Sequence, residues 1–171
     1  MSNYCDIAPG HPLHGPYHDS EYGFPLTCDR LLFERLTLEV FQAGLSWELM
    51  LKKRHGFHRA FCGYDIEKIA SFGEGDIERL RQDAEIVRNQ LKIKATIYNA
   101  QQVIAIQKSA GSFLKWIQSQ TCTDRDGWVK VMRQTFKFMG PEIVGEFLMS
   151  ISVLPGAHRK DCPVYKRLTC L

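Results

Sequence analysis

Apolar residues recur at steps of three and four positions along most of the chain, and this spacing forms the buried face of an α-helix. The clearest stripe, which starts at Ile93, predicts a helix from about Asn89 to Lys108 that stops near Gly111. The same spacing, with a capping residue or proline at the start, predicts further helices. They run from Asp29 to Gly44 and begin near Ser46, Asp65, Asp76, Ser112, Asp124 and Pro141. No alternating strand pattern competes with these helices, so the predicted fold class is all-α.

The two ends of the chain lack this periodicity. Residues 1–28 hold four of the seven prolines and three of the six histidines, and residues 154–165 open with a Leu-Pro-Gly sequence. Both ends are therefore predicted to be irregular. The chain has 171 residues, of which 44% are hydrophobic. This is enough to build one core, and we predict a single domain over residues 1–171.

Composition narrows the location and the partners only slightly. The longest apolar stretches are a few residues long, so nothing predicts a membrane span or a signal peptide, and we expect a cytoplasmic protein with no membrane partner. A net charge of +3 and a pI near 8.5 permit contact with a polyanion without indicating one. Six cysteines in such a chain are expected to be reduced, as metal ligands or buried packing residues.

The irregular ends carry two Cys/His pairs, one at each end of the chain: Cys5 with His18, and His158 with Cys162. Thiolates and neutral imidazoles are the ligands that zinc prefers in a closed tetrahedral site, and such a site would be structural. It would tie two segments without apolar periodicity onto a helical core. From spacing alone, His11 or His14 could serve in place of His18, and exposed histidines beside a packed cysteine explain the same residues without metal.

Two motifs connect the chain to a known family. Residues 17–23 read YHDSEYG, and residues 38–47 read LEVFQAGLSW. Together they resemble the signature of bacterial type I 3-methyladenine DNA glycosylases, a branch of the helix-hairpin-helix repair superfamily. The resemblance extends over nearly the whole chain up to Cys162. It implies the helix-hairpin-helix glycosylase fold, with a hairpin region at residues 76–108 and the two ends tied together by structural zinc. The zinc ligands that it implies are Cys5, His18, His158 and Cys162.

The resemblance also implies a base pocket at Tyr17, Tyr22, Glu39 and Trp47, with Glu39 as the catalytic residue. An alkylated adenine carries positive charge, so an enzyme that flips it out of the duplex needs aromatic faces and a carboxylate to hold it. The residues alone give a mild hint, because Glu39 lies in an otherwise apolar stretch and would be costly to bury without a function. The alternatives are that Glu39 points to solvent and that Trp47 is a core residue.

The family's DNA contacts fall on two segments. The turn of residues 42–45 resembles a probing loop whose Leu45 fills the space left by the flipped base. The start of the helix near Asn89 is expected to attract phosphate through its backbone amides and nearby basic residues. The residues expected to contact DNA are Gln42, Gly44, Leu45, Arg88, Asn89 and Lys92. Without the resemblance, these segments would be an ordinary turn and a solvated face.

Several positions depart from the family pattern. The changes are Ile7 in place of an aromatic, Tyr22 in place of Trp, Val40 and Glu85 each in place of Gly, Gly145 in place of Tyr, and Gly156-Ala157 in place of Asn-Asp. Most of them surround the expected base pocket, so they bear on its specificity.

The sequence therefore predicts a monomeric, monofunctional glycosylase that removes 3-methyladenine from double-stranded DNA and leaves an abasic site. The alternative is a damaged-DNA-binding paralogue with the same fold that has no activity or altered specificity. Zinc-dependent hydrolysis is excluded by the expected ligand set, because four protein ligands leave no open position on the metal.

Overall fold

The computed structural model describes residues 4–170, and the regular structure within that range is entirely helical. Its eleven α-helices are joined by turns and loops, with one 3₁₀ turn at Cys62–Tyr64. The helices are α1 Tyr4–Ile7, α2 His14–Ser20, α3 Asp29–Gln42, α4 Trp47–Ala60, α5 Ile66–Ala70, α6 Glu74–Gln82, α7 Gln90–Ala110, α8 Phe113–Ser119, α9 Arg125–Thr135, α10 Pro141–Ser150 and α11 Pro163–Thr169. The predicted all-α class is confirmed.

The core is built around α3 and α7. Every residue of α3 from Leu32 to Phe41 is buried, because the helix packs against α4, α7, α8 and α10. Helix α7 packs in turn against α5, α6 and α8. Aromatic rings fill the space between these helices, as in the stacked pair Phe113 and Phe147. Each fully buried ring stabilises the fold by roughly 1.5–3 kcal/mol relative to an exposed one.

Most of the predicted helix starts are confirmed by capping hydrogen bonds. The Ser46 hydroxyl accepts from the Leu49 amide at 3.2 Å, and the Asn89 side chain accepts from the Lys92 amide at 3.1 Å. Asp65, Ser112 and Asp124 cap their helices in the same way. These contacts span three residues, so the local sequence is sufficient to specify them.

Two predicted caps are wrong, each for a physical reason. Asp76 lies inside α6, which begins at Glu74, and its carboxylate accepts from the Gly73 amide at 3.1 Å as the second half of a capping box. Asp29 is the first residue of α3 but caps a different helix. Its carboxylate accepts from the Phe113 and Leu114 amides at 2.8 and 3.1 Å, at the start of α8.

The ends of the chain are more regular than predicted. Residues 1–28 contain α1 and α2, and the C-terminal segment continues into α11. These helices have four to seven residues, which is too short to show an apolar stripe. They are held instead by a small separate cluster in which Cys5, Cys162 and Val164 are buried. Among the helices of residues 4–170, none is long and apolar enough to cross a membrane.

Candidate functional site

A cavity of about 780 Å³ lies where α2, α3 and α4 meet α10. The four residues predicted to bind a base all line it: Tyr17, Tyr22, Glu39 and Trp47. They come from separate elements, and the turn between α3 and α4 reverses the chain so that Glu39 and Trp47 face one space. The structure therefore brings together the full predicted pocket.

Aromatic rings form the walls of this cavity. The rings of Tyr17 and Trp47 are 5.1 Å apart between centroids and inclined by 49°, and those of Tyr17 and Tyr22 are 5.9 Å apart and inclined by 36°. Behind Tyr17, the Arg35 guanidinium lies 5.0 Å from the ring centroid. The arrangement offers several π-faces to a flat ligand, and such faces attract a cation.

Two polar groups of these walls lack a partner. The Tyr17 hydroxyl and the Trp47 indole N–H are buried and make no hydrogen bond to any described residue. Buried polar groups in folded proteins are nearly all hydrogen-bonded. Two such groups without a partner beside the same cavity therefore indicate a site for a polar ligand. It also argues against Trp47 as a plain core residue.

Glu39 is a buried carboxyl group in this cavity. Only 4% of its surface is exposed, so it does not point to solvent. The pKa of Glu39 is raised to about 8, mainly by burial and also by the Glu146 carboxylate, while Arg35 acts in the opposite direction. A group with such a pKa changes its charge near neutral pH, which suits a residue that must respond to a charged ligand.

Glu146 is a second carboxyl group that the sequence analysis missed. It lies on α10, lines the same cavity, and accepts a hydrogen bond from the Tyr22 hydroxyl at 3.1 Å. Burial raises the pKa of Glu146, although the bond from Tyr22 acts in the opposite direction. The signal that singled out Glu39, a carboxylate in an apolar helix stretch, also applies to Glu146. Only the tertiary structure shows which face of α10 meets the cavity.

Tyr4 is a further cavity residue that the sequence did not predict. Its ring lies 5.3 Å from that of Tyr22 in an edge-on arrangement. Ile7, on the same helix, is 49% exposed and is not part of the cavity lining. Tyr4 precedes Ile7 by three residues in α1 and supplies an aromatic ring to the cavity.

The four predicted metal ligands meet in one buried cluster. The Cys5 sulfur lies 3.7 Å from Nδ1 of His158, and the Cys162 sulfur lies 3.8 Å from Nε2 of His18 and 3.9 Å from Nδ1 of His158. These four residues could hold a metal ion. His14, an alternative ligand by spacing, lies outside this cluster and bonds to Tyr4. His11 is outside it as well, and its Nδ1 accepts from the Leu13 and His14 amides.

The remaining nitrogen of each clustered histidine is fixed by an outer partner. His18 Nδ1 lies 2.7 Å from the Asp19 carboxylate, and His158 Nε2 lies 2.6 Å from the Tyr22 carbonyl. Donation from these nitrogens leaves the cluster-facing nitrogens unprotonated, which is the form that binds metal. The second contact also joins the cluster to the cavity, because Tyr22 belongs to the cavity wall.

The turn between α3 and α4 lies at the mouth of the cavity. Gly44 has φ 83°, a conformation that favours glycine. The Gln42 side chain donates to the Leu45 carbonyl at 2.7 Å, so Gln42 braces the turn. Leu45 is 38% exposed, which places it on the surface instead of in the core.

Lys92 lies away from the surface predicted to meet phosphate. It is 7% exposed, and its ammonium group donates to the carbonyls of Phe41 and Ala43 at 3.0 and 2.7 Å. The charge is therefore used to cap the C-terminus of α3. The prediction of Lys92 as a DNA contact is wrong in this structure, because the ammonium group is engaged inside the protein.

Helices α6 and α7 pack against each other and are joined by residues 83–89. Arg88 and Asn89 are both exposed at the start of α7, where the backbone amides also face outward. Glu85, the acidic departure in this turn, forms an ion pair with Arg59 of α4. The pairing offsets the negative charge that Glu85 brings to the hairpin.

Two exposed apolar residues near these segments were not predicted. Leu91 is 70% exposed in the first turn of α7, and Phe138 is 39% exposed between α9 and α10. Phe138 has φ 61°, which strains a bulky residue. The turn is held by Asn99, whose side chain bonds to both the amide and the carbonyl of Lys137 at 2.8 and 3.3 Å.

Comparison with known proteins agrees with this geometry. Residues 7–131 match the methyladenine glycosylase family. The chain is 41% identical to DNA-3-methyladenine glycosylase 1 of Escherichia coli strain K12, over 94% of this chain and 96% of that protein. A crystal structure of 3-methyladenine DNA glycosylase I superposes with a TM-score of 0.83 at 34% identity, covering 93% of this chain and 97% of the other. The Staphylococcus aureus enzyme, whose structure addresses 3-methyladenine recognition, gives a TM-score of 0.84 at 32% identity, with coverages of 95% and 96%.

Proposed function

Because this chain belongs to the methyladenine glycosylase family, we propose that it excises 3-methyladenine from double-stranded DNA. The observation that carries the proposal is the buried carboxyl group of Glu39 in a cavity walled by aromatic rings. This combination fits a flat cation better than it fits a neutral or anionic ligand. The Escherichia coli relative is named DNA-3-methyladenine glycosylase 1, which supports 3-methyladenine as the base that is excised.

The chemistry requires little beyond binding the flipped base. An adenine alkylated on a ring nitrogen is positively charged while it is attached to the sugar, and it leaves as a neutral molecule. Positive charge moves to the sugar as the glycosidic bond breaks. Glu39 would hold the base edge and stabilise the positive charge in the low-dielectric cavity. A cation beside Glu39 lowers its pKa, so the bound lesion itself favours the ionised carboxylate.

The unpaired polar groups of the wall provide further contacts. The Tyr17 hydroxyl and the Trp47 N–H would hydrogen-bond to the base or to a water beside it. A ligand that reaches them removes the cost of burying them unpaired. Water would then attack the sugar, leaving an abasic site without strand cleavage.

The duplex would be held on either side of the cavity mouth. Leu45, on the turn braced by Gln42 and Gly44, would fill the space left by the flipped nucleotide. The start of α7, with Arg88 and Asn89, would bind backbone phosphate in the manner of a helix-hairpin-helix motif. All of these groups come from one chain, so a monomer suffices.

We further propose that the Cys/His cluster binds a structural zinc ion. With Zn–S near 2.3 Å and Zn–N near 2.1 Å, tetrahedral geometry requires sulfur and nitrogen to be about 3.6 Å apart. The observed separations of 3.7 to 3.9 Å fit this requirement before any adjustment. Two thiolates and two imidazoles complete the coordination sphere, so the metal would hold the ends of the chain and would not react with substrate.

Excision is tested by incubating the purified protein with methylated double-stranded DNA and separating the released bases by chromatography. Free 3-methyladenine above the no-enzyme blank, with DNA strands intact, is the expected result. The matched control is Glu39→Gln, which keeps the shape of the side chain. Binding to alkylated DNA without release of any base would support the alternative, a damage-binding paralogue.

A further inference from the structure

Glu146 occupies a charged position on the apolar, cavity-facing side of α10. Ile143, Glu146 and Met149 follow one another at steps of three, and all three line the cavity. The neighbouring residues Val144, Phe147 and Leu148 are in the core. Of the two carboxyl groups that α10 contributes to the cavity lining, Glu146 is the half-buried one, since the Glu142 side chain is 85% exposed.

The charge of Glu146 is only weakly compensated, since Arg125 favours its ionisation without forming an ion pair with it. Among the described residues, its carboxylate has one hydrogen-bond partner, the neutral Tyr22 hydroxyl, and no ion-pair partner. Arg125 forms its own ion pair with Glu142 at 3.6 Å. Gly145 permits this arrangement, because a Cβ there would meet the Arg125 side chain at 2.9 Å.

Glu39 faces the same cavity from the opposite helix, α3. The groups around it are the hydroxyl-bearing rings of Tyr4, Tyr17 and Tyr22, the Glu146 carboxylate and, behind Tyr17, the Arg35 guanidinium. Arg35 is also bonded to the Ser150 carbonyl and to Glu21. Glu39 and Glu146 therefore share a pocket, and the two cations that act on them, Arg35 and Arg125, each have other partners.

We propose that Glu146 is a specificity-determining residue that, together with Glu39, selects N-alkylated purines bearing a 6-amino group over those bearing a 6-oxo group. The proposal rests on the proposed glycosylase function. A 6-amino group carries two N–H donors, one for each carboxylate. A 6-oxo group carries two acceptor lone pairs, which two carboxylates repel.

The cost of this arrangement indicates that it is kept for function. Two carboxyl groups in one poorly solvated pocket oppose each other's ionisation, so the state in which both are charged destabilises the fold. Glutamine would satisfy the Tyr22 hydroxyl equally well without that cost. A merely structural role for Glu146 would therefore not require a carboxylate.

The test compares wild-type protein with Glu146→Gln on one methylated DNA preparation that contains both 3-methyladenine and 3-methylguanine. Both lesions are cations with the methyl group on the same ring nitrogen. They differ at the 6-position and also at the 2-position, where guanine carries an amino group, so binding of free adenine and hypoxanthine, which both have hydrogen at the 2-position, is compared in parallel. Single-turnover release of each base is measured from about pH 5 to pH 9. We expect the ratio of 3-methyladenine to 3-methylguanine release to fall at least about 10-fold in the variant.

The pH dependence gives an independent readout. Removing the negative charge of Glu146 should move the pH limb that reports Glu39 ionisation to lower pH, by about one unit. The melting temperature should stay equal or rise, because a repulsive charge is removed. Glu67→Gln is the matched control. It makes the same change at an exposed position of α5, outside the cavity lining, so it should leave the ratio and the pH limb unchanged.

The outcomes separate this proposal from the glycosylase function. If wild-type protein releases 3-methyladenine and Glu146→Gln shows the same ratio and the same pH limb, Glu146 is not a specificity residue. If wild-type protein releases no base, the glycosylase function fails. Glu146 is then tested alone by binding of free adenine and hypoxanthine, monitored by Trp47 fluorescence. A Glu146→Asp variant, which keeps the charge, should retain more of the selectivity than Glu146→Gln.

Discussion

At the scale of single residues, Glu39 lies in the proposed base pocket at a cost in stability. Its carboxyl group is buried, and the Arg35 guanidinium, which favours its ionisation, also donates a hydrogen bond to the Ser150 carbonyl. A protein that needed α3 only for packing would be more stable with an apolar or amide side chain at this position. The residue therefore belongs to the class of buried ionisable groups that function maintains.

Glu39→Gln should reduce excision sharply while stabilising the fold. The pKa of Glu39 in the folded protein, about 8, lies above its ordinary value of 4.5. Between these pH values, Glu39 is ionised in the unfolded chain but still protonated in the folded protein. The free energy of unfolding therefore falls as pH rises from 4.5 to about 8. Glutamine avoids that loss, which amounts to about 3–5 kcal/mol.

The measurement is thermal unfolding of both proteins at several pH values, together with base release. The difference in melting temperature should be small near pH 4.5 and should grow toward pH 8. A variant that melts no higher than wild-type protein at pH 8 would show that Glu39 has an ordinary pKa. Undiminished excision would remove Glu39 from the catalytic site.

At the scale of helices, α7 positions two turns that lie near the cavity mouth. Lys92 bonds to the Phe41 and Ala43 carbonyls and holds the turn that presents Leu45. Asn99, two helical turns further along the same helix, holds the turn that presents Phe138. One long helix thus fixes both surface segments relative to the pocket.

Lys92→Met should weaken DNA binding without altering its dependence on salt. The substitution leaves two carbonyls unpaired at the end of α3, a cost of roughly 1–3 kcal/mol, and loosens the Leu45 turn. Because Lys92 is buried, it neutralises no phosphate, and the slope of log K against log salt should stay constant.

Two exposed residues at the start of α7 provide the contrast. Arg88→Met should lower the slope of log K against log salt by about one. Lys94→Met, at an exposed lysine of α7, is the matched control for Lys92→Met. A reduced slope in Lys92→Met would show that its ammonium reaches the DNA after all.

At the scale of the whole molecule, the Cys/His cluster joins the first and last segments of the chain. Cys5 and His18 come from α1 and α2, and His158 and Cys162 precede α11. Through the bond from His158 to the Tyr22 carbonyl, this junction also supports the cavity wall. Stability of the ends and the shape of the pocket are therefore linked.

Removal of the metal, or Cys162→Ser, should lower both stability and base binding. We expect a loss of at least about 2 kcal/mol, seen as a drop of several degrees in melting temperature. Affinity for free 3-methyladenine should fall in parallel, because Tyr22 loses its anchor.

Metal content by elemental analysis, melting temperature and ligand titration check this prediction. Cys170→Ser is the control, since that thiol is exposed and lies outside the cluster. Protein purified without chelator that contains no zinc, or that keeps its stability in chelator, would contradict the assignment.

What the sequence determined by itself is local. Ser46, Asn89 and Gly111 mark helix ends through contacts within four residues, so the helices could be read directly from the chain. The two motifs likewise carried the pocket residues. The short helices of the two ends escaped prediction, because a few residues are too few to show an apolar period.

What only the tertiary structure decided depends on contacts between distant segments. Asp29 caps α8, 84 residues away, and Lys92 bonds to carbonyls 49 and 51 residues away. Glu146 faces Tyr22 across 124 residues. In each case the residue type allowed several roles, and packing selected one by bringing a particular partner within reach. Charged and polar side chains are the least predictable for this reason, since their roles are set by their partners.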